Sequence, residues 1–297
     1  MLTGVIAVDK PVGITSHDVV KRVRKLTDQR RCGHTGTLDP FATGLLLVCL
    51  GRATRLSRFL TAQKKTYLAT LRFGFATDTY DRTGSPVGEP VPFGARPEEL
   101  ESLFARFVGK QLQRPPRFSA KKIGGKRAYR LARAGEPAAL APVEVEIGRI
   151  ELLGLEGPLA RIVTTVSSGT YVRSLAYDLG QALGCGAHLE ALRRTHVGSF
   201  TVDEASELDA LEAAAARGSL EDSILTPLEA LRDLGSLRVD SESASKLGHG
   251  RSLSWGARLA TGVTYRVLGP AGELVAVVTL DEATGTLKPV IVWATPV

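Results

Sequence analysis

RIVTTVSSGTYVRSLAYDLGQALG, residues 161–184, changes character half-way along. Residues 161–166 are mostly β-branched and predict a strand. Ser167, Ser168, Gly169 and Thr170 turn the chain, after which Leu175, Leu179 and Leu183 recur at helical spacing and Gly184 ends the run. A strand that feeds directly into a helix points to a mixed class, and the neighbouring segments agree. Residues 66–73 place Tyr67, Ala69, Leu71 and Phe73 on one face, and Val143, Val145 and Ile147 alternate with Glu144 and Glu146. Residues 2–8 predict a further strand. Thr15 or Ser16 is placed to cap a helix over 18–27 with an apolar stripe of Val19, Val20, Val23 and Leu26. Leu100, Leu103, Phe104 and Phe107 mark a helix opened by Pro97 and closed by Gly109. The wholly apolar run 45–50 fits a buried strand or a buried helical segment. The expectation is an α+β domain, a mainly antiparallel mixed sheet flanked by helices.

After residue 234 the texture changes. Short β segments at 265–268, 274–280 and 290–293, Gly/Pro turns such as Gly269-Pro270-Ala271-Gly272 and one helix near 241–247 predict a small β-barrel module. The expected division is 1–234, with a basic insert at about 110–142, and 235–297.

Composition excludes several classes of function. With 43% hydrophobic and 23% charged residues the chain is ordinary globular material, not a disordered one. The longest apolar run, 44–51, is far short of the roughly 20 residues a membrane span needs, and no signal-peptide pattern follows Met1, so the cytoplasm is the expected location. Cys32, Cys49 and Cys185 show no CxxC spacing, and the five histidines form no HExxH pair, so neither a disulfide framework nor a metal site is expected. Gly125-Lys126 departs from a P-loop, because Ala120 stands at the first glycine position and Arg127 at the Ser/Thr position. With no GxGxxG after a strand and no GxSxG elbow, a nucleotide cofactor and a serine hydrolase are both unexpected.

Charge is more telling. The net charge is +7, but residues 1–134 hold 25 Lys/Arg against 10 Asp/Glu, while residues 135–234 hold 7 against 16. A cationic front half suggests a polyanion, nucleic acid first. Between residues 110 and 133 stand nine Lys/Arg, including Lys121 and Lys122, with no acid, and with Phe118 and Tyr129 interleaved. That is the composition of an arm that tracks phosphates and stacks bases. Two other stretches can carry chemistry. CGHTGTLDP, residues 32–40, is a Gly-rich loop presenting His34 and Asp39, and an ordinary turn is its alternative reading. An aspartate there can act as base or as nucleophile. Arg173 opens the helix of the first stretch, where the helix dipole disfavours a cation, which suggests an anionic partner such as Asp39, a surface arginine being the alternative reading.

These segments resemble a known family. DKPVGITSHDVV (9–20), GHTGTLDPFATGLL (33–46), KTYLATLRFG (65–74), FSAKKIGGKRAY (118–129), SSGTYVRSLAYDLG (167–180) and LRRTHVG (192–198) are similar, in order, to the motifs of the bacterial tRNA pseudouridine synthase B family. The C-terminal segment resembles, more loosely, the PUA domain of those enzymes. The resemblance implies a pseudouridine synthase fold and isomerisation of the uridine at position 55 in the tRNA T loop. Its partner would be the T stem-loop, with no guide RNA, no membrane and no cofactor, and the protein would be a monomer. It makes Asp39 the catalytic aspartate, Tyr67 the tyrosine packed on the target base and Arg173 the partner that keeps Asp39 ionised and oriented. Tyr171 would line the pocket, the main chain near Leu192 would meet the uracil edge, and His34 would fill the space left by the flipped nucleotide. Lys10 and Pro11 would support the site, and Lys121 and Lys122 would grip RNA. Leu68 and Tyr177 depart from the family pattern. Intact Asp39, Tyr67 and Arg173 argue against a purely RNA-binding role, and the lack of long terminal extensions argues against a guide-dependent relative.

Overall fold

The structure, a computed structural model, describes residues 2–116, 141–256, 259–260 and 262–294, with the dipeptides 122–123 and 126–127 described as backbone. A ten-stranded sheet organises the first 207 residues. Its strands are β1 (Gly4–Lys10), β2 (Cys32–His34), β3 (Thr43–Leu50), β4 (Lys65–Phe73), β5 (Gly109–Gln113), β6 (Val143–Glu156), β7 (Leu159–Val166), β8 (Ala187–Val197), β9 (Phe200–Thr201) and β10 (Ser206–Glu207). They lie in the order β10-β1-β3-β8-β4-β7-β6-β5, with β2 on β3 and β9 on β8. Only the β1–β10 and β3–β8 pairs are parallel, so the sheet is mixed and mainly antiparallel, as expected from the sequence.

The apolar run that sequence left open is β3. Leu46, Val48 and Leu50 enter one core with α1 (Ser16–Thr27), while Leu45, Leu47 and Cys49 enter another on the opposite face with Val5 and Phe200. A strand covered on both faces has no polar side to show, which is why its sequence does not alternate. Helix α1 begins two residues before the expected start: Thr15 accepts from the Asp18 N–H, and Asp18 returns the contact in a capping box. Helix α2 (Pro97–Phe107) and helix α3 (Val172–Ala182) cover the far half of the sheet, where Leu100, Phe104, Leu175 and Leu179 join Leu71, Phe73 and Ile162.

Two elements exceed the sequence reading. β6 runs to Glu156 because its hairpin partner β7 continues the pairing through two register shifts. β8 carries no apolar alternation, since bulges near Ala191 and Thr195 break its period and Arg194 faces inward. It nonetheless joins β3 to β4 at the centre of the sheet.

From Gly235 a second sheet of five strands begins: β11 (Gly235–Arg238), β12 (Leu253–Ser254), β13 (Thr264–Leu268), β14 (Leu274–Asp281) and β15 (Thr286–Val292), in the order β11-β13-β14-β15-β12. Leu247, from the helix Ser241–Gly248, enters its core with Val267, Val278 and Leu287. Ala53, Leu56 and Leu231 pack against Leu274, Val277 and Ile291 of this sheet. Arg52, Arg55 and Arg58 donate to the carbonyls of Trp293, Val292 and Val290.

One glycine is obligatory for the sheet. Gly44 has φ +101°, and a Cβ there would lie 2.3 Å from the Arg194 carbonyl oxygen. Gly44→Ala is expected to destabilise the fold by about 2 kcal/mol or more, read as a lowered urea midpoint.

Candidate active site

The loop after β2 makes few backbone pairs, from the Thr35 N–H to the Leu47 carbonyl, the Gly13 N–H to the Pro40 carbonyl and the Ala42 N–H to the Asp39 carbonyl, and side chains from three elements add to them. Arg194 of β8 donates Nη2 to the Gly36 carbonyl at 3.1 Å and Nε to Leu45 at 2.7 Å. Ser16 of α1 accepts from the Leu38 N–H at 2.8 Å and donates to its carbonyl at 3.1 Å. Lys10, at the end of β1, donates Nζ to the carbonyls of Pro11 and Ile14 at 2.8 Å and of Pro40 at 3.4 Å. Burial pushes the Lys10 ammonium down to about 8. Lys10 therefore ties the turn at 11–14 to the loop, while Pro11 enters only as a carbonyl acceptor.

Asp39 lies between these anchors. Arg173 Nε is 3.0 Å from Asp39 Oδ2, and Nη2 donates to Oδ1 at 3.2 Å. The far side of the guanidinium is fixed as well, since Nη1 donates to the Thr79 carbonyl at 3.1 Å and to Asp81 Oδ2 at 3.3 Å. The side chains of Arg173 and Asp81 are 6% and 5% exposed, whereas Asp39 is 32% exposed and faces open space. Asp81 accepts in turn from Thr79 Oγ1 at 2.8 Å and the Thr83 N–H at 2.9 Å. Its loop turns at Tyr80, whose φ is +63° and whose ring stacks on Tyr177 of α3 at 4.0 Å between centroids. Burial pushes the Asp39 carboxyl above the ordinary aspartate value; Arg173 opposes this, Asp81 adds to it and Lys10 opposes it. The expected pair with Arg173 is formed and orients Asp39, but burial outweighs its charge, so the pair does not hold the carboxyl at an ordinary pKa.

A cleft of about 1350 Å³ opens over Asp39, and His34, Tyr67, Tyr171, Arg173 and Leu192 all line it. These six residues are spread over 159 positions of sequence and meet because β2, β4, α3 and β8 converge here. Tyr67 points inward from β4 and is 8% exposed, like Leu192 on β8. His34 Nδ1 accepts from the Gly36 N–H at 3.3 Å, which requires that nitrogen to be unprotonated. Tyr171 is clamped through its backbone: its N–H donates to Gln113 Oε1 at 2.8 Å, and Gln113 Nε2 donates to its carbonyl at 3.0 Å. Lys121 lies outside the described residues, and Lys122 is described only as backbone paired with Arg127. The expected contributions of both, and of Phe118 and Tyr129, therefore fall outside the described side chains.

Sequence reasoning missed Asp81, Arg194, Lys65 and Gln113. An acid set among threonines and a glycine in TDTYDRTG was the available signal for Asp81. No local pattern marks Arg194 or Gln113, because their partners are distant backbone groups, and Lys65 binds only the nearby carbonyls of Thr61 and Gln63.

Comparison with known proteins bears on this constellation. The model of the TruB family pseudouridylate synthase N-terminal domain matches residues 24–172, and that of the tRNA pseudouridylate synthase B C-terminal domain matches 173–232. The chain belongs to the TruB family. A tRNA pseudouridine synthase B of Ralstonia pickettii is 41% identical over 297 residues, covering 98% of this chain and 90% of the relative. Another, from Solibacter usitatus, is 48% identical over 250 residues, 84% of this chain and 85% of the relative. Among solved structures, a Cbf5-Nop10-Gar1 complex contains a chain with TM-score 0.77 and 25% identity, matched over 99% of this chain and 85% of that one. An H/ACA ribonucleoprotein bound to a substrate RNA containing 2′-deoxyuridine contains one with TM-score 0.75 and 24% identity, at the same coverage. The TruB matches place the ten-stranded sheet and its cleft in a family of pseudouridine synthases.

Gln113→Ala removes both contacts to the Tyr171 backbone. It is expected to cost about 1–2 kcal/mol in a urea melt, with Gln113→Glu restoring only the contact to the N–H.

Proposed function

We propose that this chain converts uridine 55 in the T loop of tRNA to pseudouridine, without a guide RNA or a cofactor, and that Asp39 is its essential carboxylate. The observation that carries this reading is a half-open aspartate held by a buried arginine on the floor of a cleft whose wall is Tyr67. The relatives named tRNA pseudouridine synthase B support tRNA as the substrate.

The reaction breaks the N1–C1′ bond, turns the base, forms C5–C1′, removes the C5 proton and returns a proton to N1. Atoms and charge balance within the nucleotide, so no oxidant, reductant or water is consumed. The target base stacks within a folded loop and must be extruded, at a cost of a few kcal/mol, into a pocket with an aromatic wall. Tyr67 packs on that base and is the candidate for moving the C5 proton, and His34 fills the vacated space. Tyr171 closes the pocket, and the main chain near Leu192 meets the uracil edge. Asp39 acts as an anion whether it attacks C6, attacks C1′ or serves as a base at the sugar. Asp81 and the Thr79 carbonyl hold Arg173 so that its other edge can hold Asp39. RNA loops are read by shape and backbone, and the basic face of α1, the segment with Lys121 and Lys122, and a PUA-like module at 235–297 supply that grip.

The test is tritium release from a C5-tritiated T stem-loop transcript, with EDTA present and ATP absent. Wild type is expected to release tritium and Asp39→Asn to release none while still binding RNA. Release by both proteins would mean that Asp39 is not the essential carboxylate.

The pH profile supplies a second check. Since the Asp39 carboxyl titrates above 3.8 and must be ionised, kcat/KM falls as pH falls through that raised value. An acid limb displaced upward from the ordinary aspartate value is expected, and one at that ordinary value would contradict the assignment. Reversing the charge of both Lys121 and Lys122 is expected to weaken RNA binding and flatten its salt dependence, with the logarithmic slope reduced by about 1 or more.

A further inference from the structure

Tyr67, Lys65 and Arg194 share one face of the sheet. Lys65 and Tyr67 are alternate residues of β4, roughly 7 Å apart along the strand, and Arg194 of β8 sits directly opposite Tyr67 in the register. All three line the cleft. Lys65 and Arg194 are 6% and 2% exposed, yet among the described residues neither makes an ion pair with a carboxylate. Lys65 Nζ donates to the carbonyls of Thr61 and Gln63, which leaves one of its three protons uncommitted. Arg194 uses Nε and Nη2 on Leu45 and Gly36, and its Nη1 has no acceptor among the described residues. Both side chains approach Gly36: a Cβ built there would lie 3.5 Å from Arg194 Nη1 and 3.9 Å from Lys65 Cε. Two buried cations with spare donors, in a cleft whose acids Asp39 and Asp81 are engaged by Arg173, form a site that can take an anion.

We propose that Lys65 and Arg194 form a phosphodiester subsite, which takes a backbone phosphate flanking the nucleotide extruded against Tyr67. The bound phosphate supplies the counter-charge that the protein omits. It also fixes the strand one nucleotide from the reacting base, so the base turns while its backbone stays still. Burial and the charge of Arg194 push the Lys65 ammonium down to about 8, the direction expected of a cation awaiting its partner. Gly36 fits the same picture, because its bare α-carbon leaves space beside Arg194 Nη1.

This inference rests on the reading of the chain as a tRNA pseudouridine synthase, and its test separates the two. Synthetic T stem-loops carry a single methylphosphonate, which is uncharged, at the linkage 5′ or 3′ of the target uridine, or at a control linkage at the far end of the stem. Affinity, its salt dependence and pseudouridine formation are measured with wild type and with Lys65→Met. One of the two flanking linkages is expected to weaken wild-type binding about tenfold and to lower the logarithmic salt slope by about 0.7. Lys65→Met is expected to bind the unmodified RNA about tenfold more weakly and to lose little more at that linkage.

The subsite is overturned if neither flanking linkage weakens wild-type binding beyond the control, or if Lys65→Met loses the same further factor as wild type. Lys65 also ties down the chain after the helix Ser57–Ala62, so an unfolded variant leaves the decision to wild type. There, affinity for the unmodified RNA falls as pH rises through about 8, and for the sensitive methylphosphonate RNA it does not; equal pH dependence overturns the proposal. The other charged or titratable groups lining the cleft, apart from two tyrosines, are His17, His34, Asp39, Asp81, Arg173 and Arg194. Failure of wild type to convert the unmodified RNA would overturn the enzymatic reading itself, whereas conversion without linkage dependence overturns the subsite alone.

Discussion

Three carbonyls in alternate positions, those of Gly36, Leu38 and Pro40, are held by Arg194, Ser16 and Lys10, and Asp39 stands among them. The loop has little backbone ladder of its own, and these contacts, together with the Gly13 N–H on the Pro40 carbonyl, set its shape. Each comes from a different element: β8 at the centre of the sheet, the first turn of α1, and the last residue of β1. The position of one carboxylate thus depends on the sheet and the helix being correctly assembled at once. Reacting groups need placement within about half an ångström, and a loop tied at this density to a packed scaffold meets that demand.

Holding the loop this way buries positive charge. Lys10, Lys65, Arg173 and Arg194 are all at most 6% exposed, and the acids among them are Asp39 and Asp81. The cleft therefore carries an excess of cation, which suits a polyanionic substrate and costs stability in the free protein. Arg173 divides the two acids, with Asp81 buried behind it and Asp39 presented to the cleft. The same contact fixes the arginine and prevents two carboxylates from facing each other directly.

The C-terminal sheet is joined to this scaffold by an apolar patch and by three arginines at every third position, Arg52, Arg55 and Arg58, aimed at the carbonyls of Trp293, Val292 and Val290 at the end of β15. Arg52 also lies 4.9 Å over the Trp293 ring. Three of the cations that make the front half so basic thus serve as tethers. Net charge marked the front half of the chain as cationic but could not say which charges face solvent.

What the sequence determined by itself was local. Alternation in 66–73 gave β4, Thr15 and Asp18 gave the start of α1, and the ordered motifs gave the family and its candidate residues. Those signals survive because periodicity, capping and motif order are properties of neighbouring residues. Tertiary structure alone decided that the apolar run 45–50 is a strand covered on both faces, that the charged, bulged segment 187–197 is a central strand, and that Asp81 rather than solvent sits behind Arg173. It also decided that burial outweighs the ion pair at Asp39. In each case the deciding partner is tens to more than a hundred residues away in sequence. Burial, buried charge balance and a carbonyl held from another strand come into being only when those segments meet.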